Sequence, residues 1–148
     1  MAPYIIFNSR HFLDEVEKVK KFWLRTKRNR LRIETNKVEK RILLFSIHKS
    51  SGLETAISLP AYVSDDCVIN LGTVGAFYDA VEQLQRFNVG EKGSLRLHLV
   101  KSLLRKNYFI LKPLKSGCDL IGSFEPTSQE ELKSVWTNSA EPELAQIS

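Results

Sequence analysis

The sequence predicts an α+β fold, two helices packed on antiparallel sheets in the order β-α-β-β-β-β-α-β-β-β. Two stretches carry an apolar stripe at helical spacing, while eight others are short and apolar or alternate with period two. Turn residues such as Ser50-Ser51-Gly52, and the Gly90 to Gly93 stretch, join alternating runs as hairpin turns do. The chain has 148 residues, 43% of them hydrophobic, which suffices for one domain with its own core.

Tyr4 to Asn8 is a short apolar strand, and Ser9 is placed to cap a helix behind it. Phe12, Val16, Val19 and Trp23, with Leu13 and Phe22 beside them, form the core-facing stripe of that helix. The opposite face holds Asp14, Lys18, Lys21 and Arg25, so the helix begins acidic and ends basic, in accord with its dipole. Lys27 to Arg30 make a charged turn. Leu31, Ile33 and Thr35 then alternate with Arg32 and Glu34, the pattern of a strand with one buried face. Arg41 to Lys49 is a longer strand. Leu53, Thr55, Ile57 and Leu59 alternate in the next, which Pro60 stops or confines to an edge. Cys67 to Leu71 leads through Gly72-Thr73 into a second helix, with Val74, Phe77, Tyr78, Val81 and Leu84 on its apolar face and Asp79, Glu82, Gln83 and Arg86 toward water. Leu95 to Val100, Tyr108 to Leu111 and Asp119 to Phe124 are the closing strands. A strand–helix–strands pattern thus occurs twice, with the break near residue 65. Residues 1–124 read as the folded domain. Residues 125–148 read as an acidic tail, with a short helix over Gln129 to Trp136 and a mobile end.

The formal charge is only +5, yet Lys18, Lys20, Lys21, Arg25, Lys27, Arg28, Arg30 and Arg32 crowd one segment that contains no Asp or Glu. Removing these eight leaves −3 on everything else, so the positive character is local. A helix that needs only solubility interleaves both signs, and one-signed density therefore points to a polyanion. Nucleic acid fits better than a membrane, because the apolar face of the first helix is needed for the core. Lys and Arg at this spacing meet phosphates without a base-reading pattern, which implies nonspecific, strongly salt-dependent binding. The bland alternative is a run that only solvates a helix end or a loop. Phe22 and Trp23 beside the cations, and Tyr108-Phe109 after Arg105-Lys106, either stack bases or, since most lie on apolar faces, fill the core. The tail carries five Glu against Lys133, a net of −4.

No constellation for catalysis assembles, and the chain reads as a non-enzyme without cofactor or metal. His11, His48 and His98 are scattered, Asp65-Asp66 precede a strand at a turn, and NVGEKGS lacks the GK[ST] ending of a phosphate loop. Cys67 and Cys118 have no CxxC spacing and no nearby His pair, so they read as buried reduced thiols of an intracellular protein. There is no signal-peptide pattern, and no stretch approaches the roughly 20 apolar residues that span a bilayer.

Over residues 4–124 the element order and apolar phase resemble one domain of a DNA sliding clamp, the ring-forming processivity factor of replicative polymerases. YIIFNSRHFLDEVEKVKKF looks like the opening strand and first helix of a bacterial clamp domain. RILLFSIHKSSGLETAISLP is similar to its central hairpin, VINLGTVGAFYDAVEQLQ to the strand entering the second helix, and GSLRLHLV and NYFILKPL to the closing strands. The resemblance implies a clamp-like domain whose helices line a ring around duplex DNA, with Lys18, Lys21 and Arg25 toward phosphate. It also implies a homo-oligomer, since family rings hold several such domains, and a polymerase or other replication protein as partner. Asp79 and Glu82 depart from the pattern by placing acids on the second helix. Gln129, Leu132, Val135 and Trp136 loosely resemble the peptide by which partners dock on clamps. The expected function is thus to tether a replication or transcription partner to duplex DNA. Two alternatives stand beside it: a single-stranded nucleic-acid binder using the sheet, basic loops and aromatics, and a structural subunit whose basic segment meets an acidic protein.

Overall fold

The computed structural model describes residues 3–87, 93–100, 108–114 and 122–124. Its elements follow one another as β1 (Tyr4–Asn8), α1 (Ser9–Lys18), α2 (Lys20–Trp23), β2 (Arg30–Asn36), β3 (Arg41–Ile47), β4 (Glu54–Val63), β5 (Val68–Thr73), α3 (Val74–Phe87), β6 (Ser94–Val100), β7 (Tyr108–Pro113) and β8 (Gly122–Phe124). The strands form one antiparallel sheet in the order β5-β2-β3-β4-β1-β6-β7-β8. The acidic tail, the short helix expected over 129–136, and Cys118 lie outside the described residues.

Two quartets make up this sheet. One is the meander β2-β3-β4 with β5 on its flank; the other is β6-β7-β8 with β1 on its flank. Each half of the chain therefore lends its leading strand to the other half's meander, and a helix carries the chain across. The quartets meet through β4. Glu54 to Pro60 pair with β3, and Ala61 to Val63 then pair with β1. Pro60 neither ends the strand nor confines it to an edge, contrary to both expectations from sequence. It sits where the strand changes partner, a position that tolerates a missing N–H.

The helices lie on one face. Alternate strand residues turn toward them: Ile5 and Phe7 on β1, Leu31 and Ile33 on β2, Ile42 and Leu44 on β3, Ile57 and Leu59 on β4, all buried. Phe12, Val16, Phe77, Val81 and Leu84 close over them from α1 and α3. Phe12 is the hub, edge-on to Trp23 at 5.7 Å and to Phe77 at 5.5 Å between ring centroids. Each such aromatic pair adds about 0.5–1.5 kcal/mol beyond its buried area.

Three local features differ from the sequence reading. The N-cap of α1 is Asn8, whose Oδ1 accepts from the His11 N–H at 2.8 Å. Ser9 is instead the first helical residue, fully buried, with its hydroxyl bonded to Gln85 of α3. The first helix also breaks at Val19, where φ is −127° and ψ 23°, and resumes for the single turn of α2. Beyond that break Trp23 is fully buried, while Phe22 is 62% exposed rather than part of the core.

Candidate nucleic-acid interface

The basic segment is fastened from beneath by a chain of buried hydrogen bonds. The indole Nε1 of Trp23 donates to the Leu44 carbonyl at 3.0 Å. Ser46 Oγ donates to the Trp23 carbonyl at 2.7 Å and accepts from Asn29 Nδ2 at 3.0 Å. Both Ser46 and Asn29 are buried, so the residues between Trp23 and Asn29 are tied to β3 at both ends.

The same loop caps the second helix. Its carbonyls at Asn29 and Lys27 accept from the N–H groups of Val74 (2.8 Å) and Gly75 (3.1 Å), and Thr73 Oγ1 accepts from Ala76 N–H at 3.2 Å. These N–H groups would otherwise be orphans of the α3 N-terminus. Gly72, at φ 50°, makes room just before them, where β5 bulges against β2 between Arg30 and Arg32.

On this platform the eight sequence-selected cations divide. Lys18 bonds Glu15 Oε2 at 2.7 Å, a contact that raises the lysine pKa and lowers the carboxyl's. Lys20 lies 3.9 Å from Glu17 Oε2 and 5.8 Å above the Tyr78 ring, and Lys27 lies 3.7 Å from Asp79 Oδ1. These are exposed pairs of little strength, which a phosphate can replace. Arg32 is different. It sits on the sheet face turned away from the helices, its guanidinium forked onto both Glu54 oxygens at 3.1 and 3.2 Å, 3.1 Å from Glu34, and stacked 4.4 Å over Phe45. It is therefore neutralised, and it shares its face with Arg30, two residues earlier on the strand. Lys21, Arg25, Arg28 and Arg30 are exposed and form no ion pair among the described residues. A shallow groove of about 700 Å³ runs beside Lys18, Lys20, Lys21 and Arg25.

A second depression shares Arg25. It measures about 300 Å³ and lies between α2 and the β3–β4 turn, lined by Phe22, Arg25, Asn29, Ser46, His48 and Leu53 among others. Leu53 is 74% exposed, and Asn29 Oδ1 is buried without a hydrogen-bond partner. The site thus offers two apolar walls and one cation without an ion pair among the described residues. The sequence reading missed it, having placed Leu53 and Phe22 with core residues. Gly52, at φ 75°, leaves Leu53 ahead of the β4 alternation, a placement that composition does not reveal.

The remaining reactive side chains fit structural roles. Burial pushes the Cys67 thiol up to about 11 against the opposing hydrogen bond from Thr35. Asp66 accepts from the Lys37 N–H at 2.6 Å as a turn residue. Among the described residues no group of three or more His, Cys, Asp or Glu is arranged to hold a metal ion, and no helix is long and apolar enough to cross a membrane.

No protein-family profile matches the sequence, and no curated protein is similar to it. Among solved structures, it is similar to DNA polymerase III subunit beta from Borrelia burgdorferi in complex with a natural product, with a TM-score of 0.57 and 14% identity. The match covers 85% of this chain, which spans about 30% of the length of that protein. The likeness is one of fold: the α+β chain with its antiparallel sheet is clamp-like, as the element order in the sequence implied.

Proposed function

We propose that the chain is a non-catalytic, clamp-like domain that holds duplex DNA by its phosphates and tethers a replication or transcription partner to it. The observation that carries this reading is the set Lys21, Arg25 and Arg28, exposed and without ion pairs among the described residues, on a segment whose backbone is fixed by Trp23, Asn29 and Ser46. Cations held on a rigid support neutralise phosphate without ordering a loop on each encounter, and they read no sequence. Lys18, Lys20 and Lys27 join them when DNA displaces their exposed carboxylate partners. Arg30 and Arg32, which β2 turns to the face away from the helices, are left out of the contact surface.

The partner would be held in the depression between Phe22 and Leu53. Its chemistry suits a short peptide that brings an apolar side chain for the two walls and a carboxylate for Arg25. Several copies would be needed to encircle a duplex, and β5 and β8 are the sheet edges through which copies would join.

Two measurements test the reading. Duplex binding by the pair K21E and R25E is expected to fall about tenfold or more at low salt; unchanged binding removes this surface. The solution mass at working concentration is expected to exceed that of one chain, and a strict monomer overturns the encircling arrangement.

A further inference from the structure

The outer face of the sheet, opposite the helices, carries a separate constellation. β1, β6 and β7 contain no Asp or Glu, and the residues they turn outward include Tyr4, Arg96, His98 and Lys112. The registers Tyr62↔Ile6, Ile6↔Arg96 and Arg96↔Lys112 put an aromatic and two cations in one row across β4, β1, β6 and β7. Three strand spacings make that row about 14 Å wide. In the next row Tyr4 stands opposite His98.

The aromatic end is open to solvent. Tyr62 is 57% exposed, yet its ring is stacked on Tyr4, with centroids 6.0 Å apart and planes at 20°. Arg96 backs the Tyr4 ring at 4.6 Å, and Lys112 is exposed beyond it. The field here is positive: burial, then the charges of Arg96 and Lys112, hold the His98 pKa below its ordinary value. Asp65, just beyond β4, is felt at Tyr4, and its carboxylate accepts from the Ser64 hydroxyl at 2.9 Å. Arg32, farther along the same face, adds nothing, since Glu34 and Glu54 neutralise it.

We propose that this face is a second nucleic-acid site, specific for an unpaired strand, whose bases stack on Tyr62, itself braced by Tyr4, while its phosphates lie along Arg96 and Lys112. A duplex keeps its base faces inside its own stack and gains nothing from exposed tyrosines. An unpaired strand offers both a planar face and a phosphate at each nucleotide, and stacking of this kind tolerates any base. The site is separate from Lys21 and Arg25, which belong to α2 and the loop after it, and from Arg32, which shares the outer face but is neutralised by Glu34 and Glu54.

The test uses the full chain and three dye-labelled ligands of equal length, oligo(dT), an abasic strand and a duplex, with binding read by anisotropy at low salt. Oligo(dT) is expected to bind several-fold more tightly than the abasic strand. Y62A is expected to lower oligo(dT) affinity about fivefold or more and leave duplex affinity unchanged, whereas Y62F retains the stack and stays within about twofold. K112A, at an exposed position, is expected to weaken oligo(dT) without changing the melting temperature. Equal binding of abasic and thymidine strands overturns the proposal, as does indifference to Y62A. Loss of oligo(dT) binding in K21E/R25E but not in Y62A overturns it too, by putting the strand on the helix side. Duplex affinity, measured in parallel, reports separately on the first site.

Discussion

Gly75 and Lys27 are in backbone contact: the Gly75 N–H donates to the Lys27 carbonyl at 3.1 Å, and a Cβ on Gly75 would stand 2.4 Å from Lys27 Cβ and 2.8 Å from its carbonyl oxygen. The basic loop can cap α3 only because this position lacks a side chain. Gly75→Ala is therefore expected to destabilise the protein by about 1–3 kcal/mol, the usual scale of overpacking, and to weaken duplex binding by moving the loop. Gly52→Ala is the control. It meets nothing within 4 Å and faces only its φ of 75°, for a cost of about 1–2 kcal/mol with the duplex affinity preserved. Urea unfolding and anisotropy separate the two.

Ser46 serves two partners at once, and removing it strands both. In Ser46→Ala the Trp23 carbonyl loses its donor and Asn29 Nδ2 loses its acceptor in a buried site. The expected loss is about 1–3 kcal/mol, read as a lower urea midpoint at unchanged m-value.

Salt dependence distinguishes contact cations from structural ones. Each phosphate contact contributes about 0.9 to the slope of log K against log salt. K21A and R25A are each expected to reduce the magnitude of that slope by about 0.9. Arg32→Gln, which removes a charge engaged by Glu34 and Glu54, leaves it unchanged. A slope that falls equally in Arg32→Gln would return that residue to the interface.

Two titrations follow from burial. Cys67, raised to about 11, is a neutral thiol at pH 8, and mass spectrometry of its peptide is expected to show negligible alkylation until the chain is unfolded. His98 has a folded pKa below its ordinary 6.5, so below that pH the unfolded chain takes up the proton first. Its contribution to stability is present above pH 6.5 and fades as the pH falls. His98→Gln is expected to flatten the acid side of the stability–pH profile.

The strand and helix order was legible because each element buries one face, and the apolar period records which. Leu31 and Ile33, Ile57 and Leu59, and Phe77, Val81 and Leu84 all face the core as their spacing requires. Charge was less legible, because ion pairing depends on what the fold brings near. The segment from Lys18 to Arg32 contains no acid, yet Glu15 and Glu17 reach it from one helical turn back, Asp79 from α3 and Glu54 from β4. Half of the eight cations are thereby engaged. The depression at Phe22 and Leu53 was invisible for a related reason: an apolar residue at a helix break or in a turn has the composition of a core residue and none of its position.

The exchange of leading strands has a consequence for how the molecule is made. A fragment ending near residue 65 would hold β2-β3-β4 with no β5 to cover its flank, and the remainder would hold β6-β7-β8 with no β1. Neither piece has a finished sheet until it captures the other. Each half is thus completed by a strand of the other, and a nick near residue 65 is expected to leave two pieces that stay folded only while associated.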